Sequence, residues 1–137
     1  MRLVTLVSVA LASLLSSDAH AAGAVIPTAF VGEWNANPAK CGTREDESFL
    51  KIEPHHVYFW ESSGPVRAAV ARGRELALIL ELSGEGETWL STHEFVLSAH
   101  GSMLVATGGA ENLKRYRCAS RKRPNNSSKP TPLRGAA

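Results

Sequence analysis

The chain has 137 residues, of which 44% are hydrophobic and 20% are charged, and this length accommodates one modest domain rather than two. The formal net charge is +2, but residues 22–119 contain nine Lys or Arg against 12 Asp or Glu, a net charge of −3. The basic excess therefore belongs to the ends of the chain. A central segment without a basic surface excludes nucleic acid as an expected partner.

The first 21 residues have the three parts of a secretory signal peptide. Arg2 supplies the positive start, residues 3–15 form an apolar run, and Ala19 and Ala21 are small residues before a cleavage position. We therefore predict a helical signal peptide over residues 1–21 and export to the periplasm or the medium; the alternative is a buried N-terminal helix. The run is shorter than the roughly 20 residues of a membrane-spanning helix, and no cysteine follows to carry a lipid. We expect no membrane anchor after cleavage.

The first residues of the expected domain, Phe30-Val31-Gly32-Glu33-Trp34, resemble the Gly-x-Trp start of lipocalin-like barrels. The resemblance implies that Trp34 closes one end of a barrel and that an arginine of the last strand, Arg115 or Arg117, packs over its ring as a cation–π pair. The middle of the chain, including Cys41-Gly42 and residues 84–89, resembles small exported proteobacterial proteins of undefined function. That second resemblance implies no active residues.

Two cysteines, Cys41 and Cys118, lie near the two ends of the domain that we expect over residues 22–119. An even pair without CxxC spacing in an exported chain predicts a structural disulfide. The alternative is two free thiols.

Hydrophobic residues in the middle of the chain recur mostly with a period of two. Residues 75–82 place leucines at every second position, as expected for a strand against a core. In residues 87–98, Trp89, Phe95 and Leu97 share one face. Shorter strands are predicted over 49–53, 57–61, 66–71, 102–107 and 114–118, separated by Gly, Pro and Ser turns. The pattern predicts an all-β fold, a small antiparallel meander or barrel; a helix over residues 68–82 is the alternative, which Gly73 disfavours.

No pattern typical of an active site is present. His55 and His56 are adjacent, so on a strand they point to opposite faces, and we interpret them as exposed turn residues rather than metal ligands. The chain contains no Gly-x-Ser-x-Gly motif and no glycine-rich phosphate loop, and both cysteines are committed to the bridge. We therefore predict no catalytic residue, metal or cofactor, and a protein that is not an enzyme.

Binding is the function that remains. Tyr58, Trp60 and Trp89 are candidate anchors because aromatic side chains dominate interface energies, although core packing is the reading we favour for each. The acidic segments 45–47 and 85–87 would attract a basic partner. The candidate binding surface is therefore Tyr58, Trp60, Glu85, Glu87 and Trp89.

These features favour an exported accessory binding protein, expected to be a monomer. One alternative is an inhibitor or immunity-type protein against a cationic cell-wall hydrolase such as lysozyme, since small exported β-barrels do act as lysozyme inhibitors. That analogy rests on fold alone. The other alternative is a lipocalin-like carrier of a small apolar ligand.

Residues 120–137 contain one large apolar residue and many Ser, Pro, Asn, Lys and Arg, so we predict a disordered tail. A basic arm at residues 121–123 is the alternative interpretation. Residues 125–137 resemble the tail found on otherwise unrelated proteins encoded in bacterial integron gene cassettes, where it is the translated edge of the recombination site. The resemblance implies a mobile accessory gene and no particular chemistry.

Overall fold

The computed structural model describes residues 24–109 and 112–120. Eight strands follow in chain order: β1 (Gly32–Asn35), β2 (Leu50–Ile52), β3 (His56–Phe59), β4 (Ser63–Arg72), β5 (Glu75–Gly84), β6 (Glu87–Leu97), β7 (Met103–Thr107) and β8 (Leu113–Arg117). Each strand pairs antiparallel with the next, and β8 pairs with β1, so the sheet closes into a barrel. The all-β prediction is confirmed.

The alternative of a helix over residues 68–82 is wrong, because those residues form the second half of β4, a turn and most of β5. Among the described residues, one 3-10 turn lies at Pro38–Lys40. No helix within the described ranges is long and apolar enough to cross a membrane. The predicted signal peptide, residues 1–21, and residues 121–137 of the predicted tail lie outside the described residues.

The core fills the inside of the barrel, and most of its strand residues follow the period of two. Antiparallel partners share a face of the sheet, so the registers of β1 to β8 identify one inward set. The buried hydrophobic residues that form the core cluster are Ile26, Phe30, Trp34, Leu50, Ile52, Val57, Val66, Leu76, Leu78, Leu80, Leu82, Phe95, Leu97 and Leu104. Ile26 and Phe30 precede β1, so the segment before the first strand also packs against the barrel core.

The connections alternate between two ends of the barrel. One end, here called the base, carries the segment 24–31 and the turns at 53–55, 73–74 and 98–102. Ile26 N–H donates to the Pro54 carbonyl at 2.8 Å, which fixes the first segment there. The opposite end, here called the mouth, carries the start of the β1–β2 loop and the turns at 60–62 and 85–86.

The base is closed by Trp34 and Arg117, which are paired in register on β1 and β8. Trp34 is fully buried, and its indole N–H donates to the Phe30 carbonyl at 3.0 Å. The Arg117 guanidinium lies 4.0 Å from the centroid of the indole ring. Of the two arginines proposed for this contact, Arg117 therefore makes it, and Arg115 does not.

Arg117 also holds backbone segments that are distant in sequence. Its Nη1 donates to the Val31 carbonyl at 2.8 Å and its Nη2 to the Ala29 carbonyl at 2.6 Å. Its Nε donates to the Gly101 carbonyl at 2.7 Å. Gly32 adopts φ +145°, and a Cβ there would lie 2.9 Å from Nη1, so a glycine at this position leaves room for the guanidinium.

A disulfide joins Cys41 to Cys118, with 5.5 Å between the Cα atoms. It holds the β1–β2 loop against the outer face of β1. There the Gly42 N–H donates to the Glu33 carboxylate, and the Cys118 N–H donates to the Glu33 carbonyl at 2.8 Å. The predicted disulfide is confirmed, and it ties the end of the last strand to the loop after the first. A disulfide is compatible with an oxidising compartment outside the cytoplasm.

Replacing both Cys41 and Cys118 by Ser should lower the free energy of unfolding by about 4–5 kcal/mol, because the bridge closes a loop of 77 residues and restricts the unfolded chain accordingly. Thermal and urea unfolding measure the change. Reducing agent should destabilise the native protein and leave the double variant unaffected. Equal stability of the two proteins would contradict a structural role for the bridge.

Replacing Arg117 by Lys should lower the free energy of unfolding by about 2 kcal/mol. A lysine ammonium cannot donate to all the separate backbone carbonyls at this end of the barrel and also stack on the indole. Urea unfolding of the variant measures the loss. The matched control is Arg67→Lys, because Arg67 forms an exposed two-bond pair with Glu81 at 2.8 and 3.1 Å that should contribute less than about 1 kcal/mol. An equal loss of unfolding free energy in both variants would show that the contacts of Arg117 stabilise the fold no more than an exposed ion pair does.

Candidate functional site

Arg115 points into the barrel from β8, where it is paired with the buried Leu104. It is only 6% exposed, and its Nε donates to the Ser48 carbonyl at 2.6 Å. Burial lowers the pKa of Arg115 to about 10, against the opposing attraction of Asp46. The side chain thus stays protonated at neutral pH and anchors the end of the β1–β2 loop to the barrel interior.

A hydroxyl and an imidazole meet on the inward face of β6. Ser91 Oγ and His93 Nε2 are 3.0 Å apart, and the His93 ring is stacked on Phe59 and Phe95, with centroid distances of 4.8 and 6.2 Å. Burial, and secondarily the positive charge of Arg115, lower the pKa of His93. The imidazole is therefore neutral at pH 7.

Such a pair contains the first two members of a nucleophile–base arrangement, and our sequence analysis missed it. The available signal was the spacing of two in Ser91-Thr92-His93, which places both side chains on one face of a strand. A catalytic arrangement also needs a group that orients the imidazole acting as general base. Within residues 24–109 and 112–120 no carboxylate hydrogen-bonds His93, and aromatic rings contact it instead. The contacts are those of a partly buried histidine packed against aromatic rings.

Glu33, Cys41 and Cys118 bring potential ligand atoms within 4.8 Å of one another. Both sulfurs belong to the disulfide, so neither offers the thiolate that a metal would need. His55 is exposed in the β2–β3 turn, and His56 lies in β3 with its ring 4.5 Å from that of Tyr58.

The turns β3–β4 and β5–β6 enclose an acidic cavity at the mouth. It has a volume of about 450 Å³ and is lined by Glu61, Ser62, Gly84, Glu85, Glu87 and Trp89; we call it the mouth pocket. Its lining contains three carboxylates and no lysine or arginine. Pairing of Ser63 with Ser83 aligns the two turns.

Trp89 lies at the rim of this pocket. It is paired with Leu82 on the inward face of β6, yet it is 42% exposed. An indole with an open face is available to stack on a planar or cationic group.

The β5–β6 turn has two residues, Glu85 with φ +50° and Gly86 with φ +85°. Positive φ at both positions is typical of a type I′ hairpin turn, which favours Asn, Asp or Gly. Glutamate in the left-handed region costs about 1 kcal/mol. Glu85 thus occupies its position against local preference, as residues at functional sites often do.

The mouth pocket brings together three of the five residues of the predicted binding surface, namely Glu85, Glu87 and Trp89. Trp60 lies next to it in sequence, is 38% exposed, and its carbonyl accepts a hydrogen bond from Arg44 at 3.2 Å. The core packing that we favoured for Trp60 and Trp89 is wrong, because both rings are exposed.

Tyr58 lies apart from the mouth pocket. It is on the outward face of β3, with Lys51 Nζ 5.3 Å from its ring centroid and its hydroxyl 3.4 Å from Glu53 Oε2. Conversely, Glu61 lines the pocket although our sequence analysis did not select it.

The second predicted acidic segment, residues 45–47, lines a different cavity, and its charges are partly compensated. Glu45 forms a salt bridge of 3.5 Å with Lys40. Hydrogen bonds from Ser48, with smaller contributions from the charges of Lys40 and Arg115, lower the pKa of Asp46. By contrast, none of the three mouth-pocket carboxylates forms a salt bridge with any described residue. The mouth pocket is the stronger candidate for binding a positive charge.

Comparison with known proteins returned no match, either to a protein-family model, to a curated protein or to a solved structure.

The stability of the protein should fall as the pH drops below 6.5, the ordinary pKa of histidine. The folded state disfavours the charged form of His93 because the ring is partly withdrawn from water, so the unfolded chain binds a proton that the folded chain does not. Stability is then full above that pH and is lost as the pH falls toward the lowered pKa. Urea unfolding at a series of acidic pH values measures this loss of stability.

His93→Gln should weaken this pH dependence, whereas His100→Gln, at an exposed position of the base, should leave it unchanged. An unchanged pH profile in the His93 variant, or an NMR titration of His93 at or above the ordinary pKa, would contradict the assignment.

Proposed function

We propose that this chain is an exported, non-enzymatic binding protein whose mouth pocket receives a lysine or arginine side chain from a protein partner. The observation that carries the proposal is the convergence of Glu61, Glu85 and Glu87, all without a salt-bridge partner among the described residues, around the exposed ring of Trp89. Export to the periplasm or the medium fits the disulfide and the predicted signal peptide.

The chemistry of the pocket suits a cationic side chain. A guanidinium or ammonium over the open face of Trp89 gains about 0.5–1 kcal/mol at an exposed site, and about 2 kcal/mol where water is excluded. Charge-assisted hydrogen bonds to Glu85 and Glu87 add to this. Uncompensated carboxylates also raise the rate of encounter with a basic protein, in a salt-dependent manner.

A basic cell-wall hydrolase such as lysozyme is the partner class that we propose to test first, and inhibition of such an enzyme is the second candidate function. The acidity of the mouth pocket favours it, because a cationic enzyme presents the required side chains. A carrier of small apolar ligands is less favoured. Leu50, Ile52 and Leu80 are fully buried inside the barrel, and such packing leaves less room for a ligand.

The double variant Glu85→Gln/Glu87→Gln should bind a basic partner at least about tenfold more weakly than the unmodified protein, because both charge-assisted contacts are lost. The measurement is calorimetric titration with lysozyme at low ionic strength, together with the rate of cell-wall lysis. The matched control is Glu45→Gln/Glu47→Gln, which removes the same charge from the compensated segment and should leave binding nearly unchanged.

Glu85→Asn sharpens the same test, since asparagine suits the turn conformation better than glutamate. This variant should be more stable than the unmodified protein and yet bind more weakly. Equal weakening by both double variants would mean that overall charge, and not the mouth pocket, governs binding. Absence of binding to lysozyme would remove the hydrolase candidate, and absence of binding to every basic protein tested would overturn the proposal.

A further inference from the structure

Within the part of the chain that the structure describes, half of strand β6 has no neighbouring strand on one side. Among residues 24–109 and 112–120, β6 pairs with β5 from Glu87 to Val96 but with β7 only over Glu94–Leu97. The first half of β6 is therefore an edge strand, although the barrel is closed elsewhere.

The direction of the backbone groups on this edge follows from two hydrogen bonds. Leu97 N–H donates to the Arg74 carbonyl on the β5 side, and Ser98 N–H donates to the Met103 carbonyl on the β7 side, both at 2.8 Å. Backbone groups of alternate residues point to opposite sides of a strand. Thr88, Leu90 and Thr92 therefore direct their N–H and C=O groups to the side where β7 is missing, and no described backbone group outside the β5 ladder bonds to them.

We propose that a second copy of the chain pairs with this edge, antiparallel, about a two-fold axis at Leu90. In this register Leu90 lies opposite Leu90 of the partner subunit, and Thr88 lies opposite Thr92 of the partner subunit. Each such pair exchanges both of its N–H···O bonds, as in an ordinary antiparallel ladder. The two barrels then share one continuous sheet.

Self-pairing fits the side chains of the edge. Leu90 is 68% exposed, the highest value among the large hydrophobic residues of the described chain, and the two-fold axis would cover it with an identical residue. Threonine opposite threonine is a favourable cross-strand pair. The register brings no like charges together, since Glu87 lies opposite His93 of the partner subunit.

Space for the partner exists beside the edge. A cavity of about 250 Å³ lies where β7 ends, lined by Thr92, His93, Glu94, Ala106, Thr107, Gly108 and Gly109. In the proposed register Thr88 of the partner subunit lies opposite Thr92, which lines this cavity. Residues 88–92 also contain no lysine, proline or other feature that commonly protects an exposed edge from pairing.

The edge is separate from the mouth pocket. Glu87 and Trp89 face inward on β6, whereas the edge bonds belong to Thr88, Leu90 and Thr92. Failure of either proposal would leave the other intact. The proposal departs from the monomer that our sequence analysis expected.

Sedimentation of the purified protein over a wide concentration range tests the proposal. We expect a concentration-dependent dimer whose dissociation constant rises at least about tenfold in Leu90→Lys, because two like charges would face each other at the axis. Ile79→Lys is the matched control, because Ile79 is exposed on the same outward face but lies on β5, which is paired on both sides. This variant should dimerise like the unmodified protein.

Amide hydrogen exchange gives a second readout. The Leu90 amide should become protected as the concentration rises, whereas the Ser91 amide, bonded to β5, should be protected at every concentration. A monomer throughout the range would overturn the proposal, as would equal loss of association in both lysine variants or a Leu90 amide that exchanges at the same rate at all concentrations.

Discussion

Closure of the barrel depends on the contact between Arg117 and Trp34. The first and last strands pair through only two residue pairs, Trp34 with Arg117 and Asn35 with Tyr116, and so short a ladder contributes few backbone hydrogen bonds. Arg117 compensates, because one guanidinium stacks on the buried indole and bonds to carbonyls of the segment before β1 and of the β6–β7 turn. The disulfide at the next residue, Cys118, secures the same junction covalently.

Most of the fold could be predicted from the sequence, because a strand against a core leaves a period of two, and β5 shows it without interruption. The arginine that packs over the Trp34 ring could not be predicted in the same way. Arg115 and Arg117 are two residues apart on one strand, so both face inward and periodicity cannot distinguish them. Only the register decides, since it places Arg117 beside Trp34 and Arg115 beside Leu104.

Only part of the candidate site could be predicted from the sequence, because it too depends on how neighbouring strands pair. Trp89 shares the inward face with Phe95 and Leu97, and from the pattern alone we favoured core packing. β6, however, continues beyond the end of β7, so Trp89 has no partner on β7 among the described residues and remains exposed. Glu61 was missed because only the pairing of β4 with β5 brings it to the same pocket as Glu85, and no local pattern encodes that pairing.

The unequal strand lengths connect the two proposed surfaces. β4, β5 and β6 have 10, 10 and 11 residues, whereas the other five strands have three to five. The long strands must extend past their short neighbours, and this extension both places the β5–β6 turn at the mouth pocket and leaves the edge of β6 unpaired. Because successive residues of β6 serve the two surfaces alternately, one strand can present Glu87 and Trp89 to a basic partner while Thr88, Leu90 and Thr92 pair with a second copy. A two-fold dimer would then carry two mouth pockets in fixed relation, and a partner with repeated basic sites would bind both with an effective concentration set by that geometry.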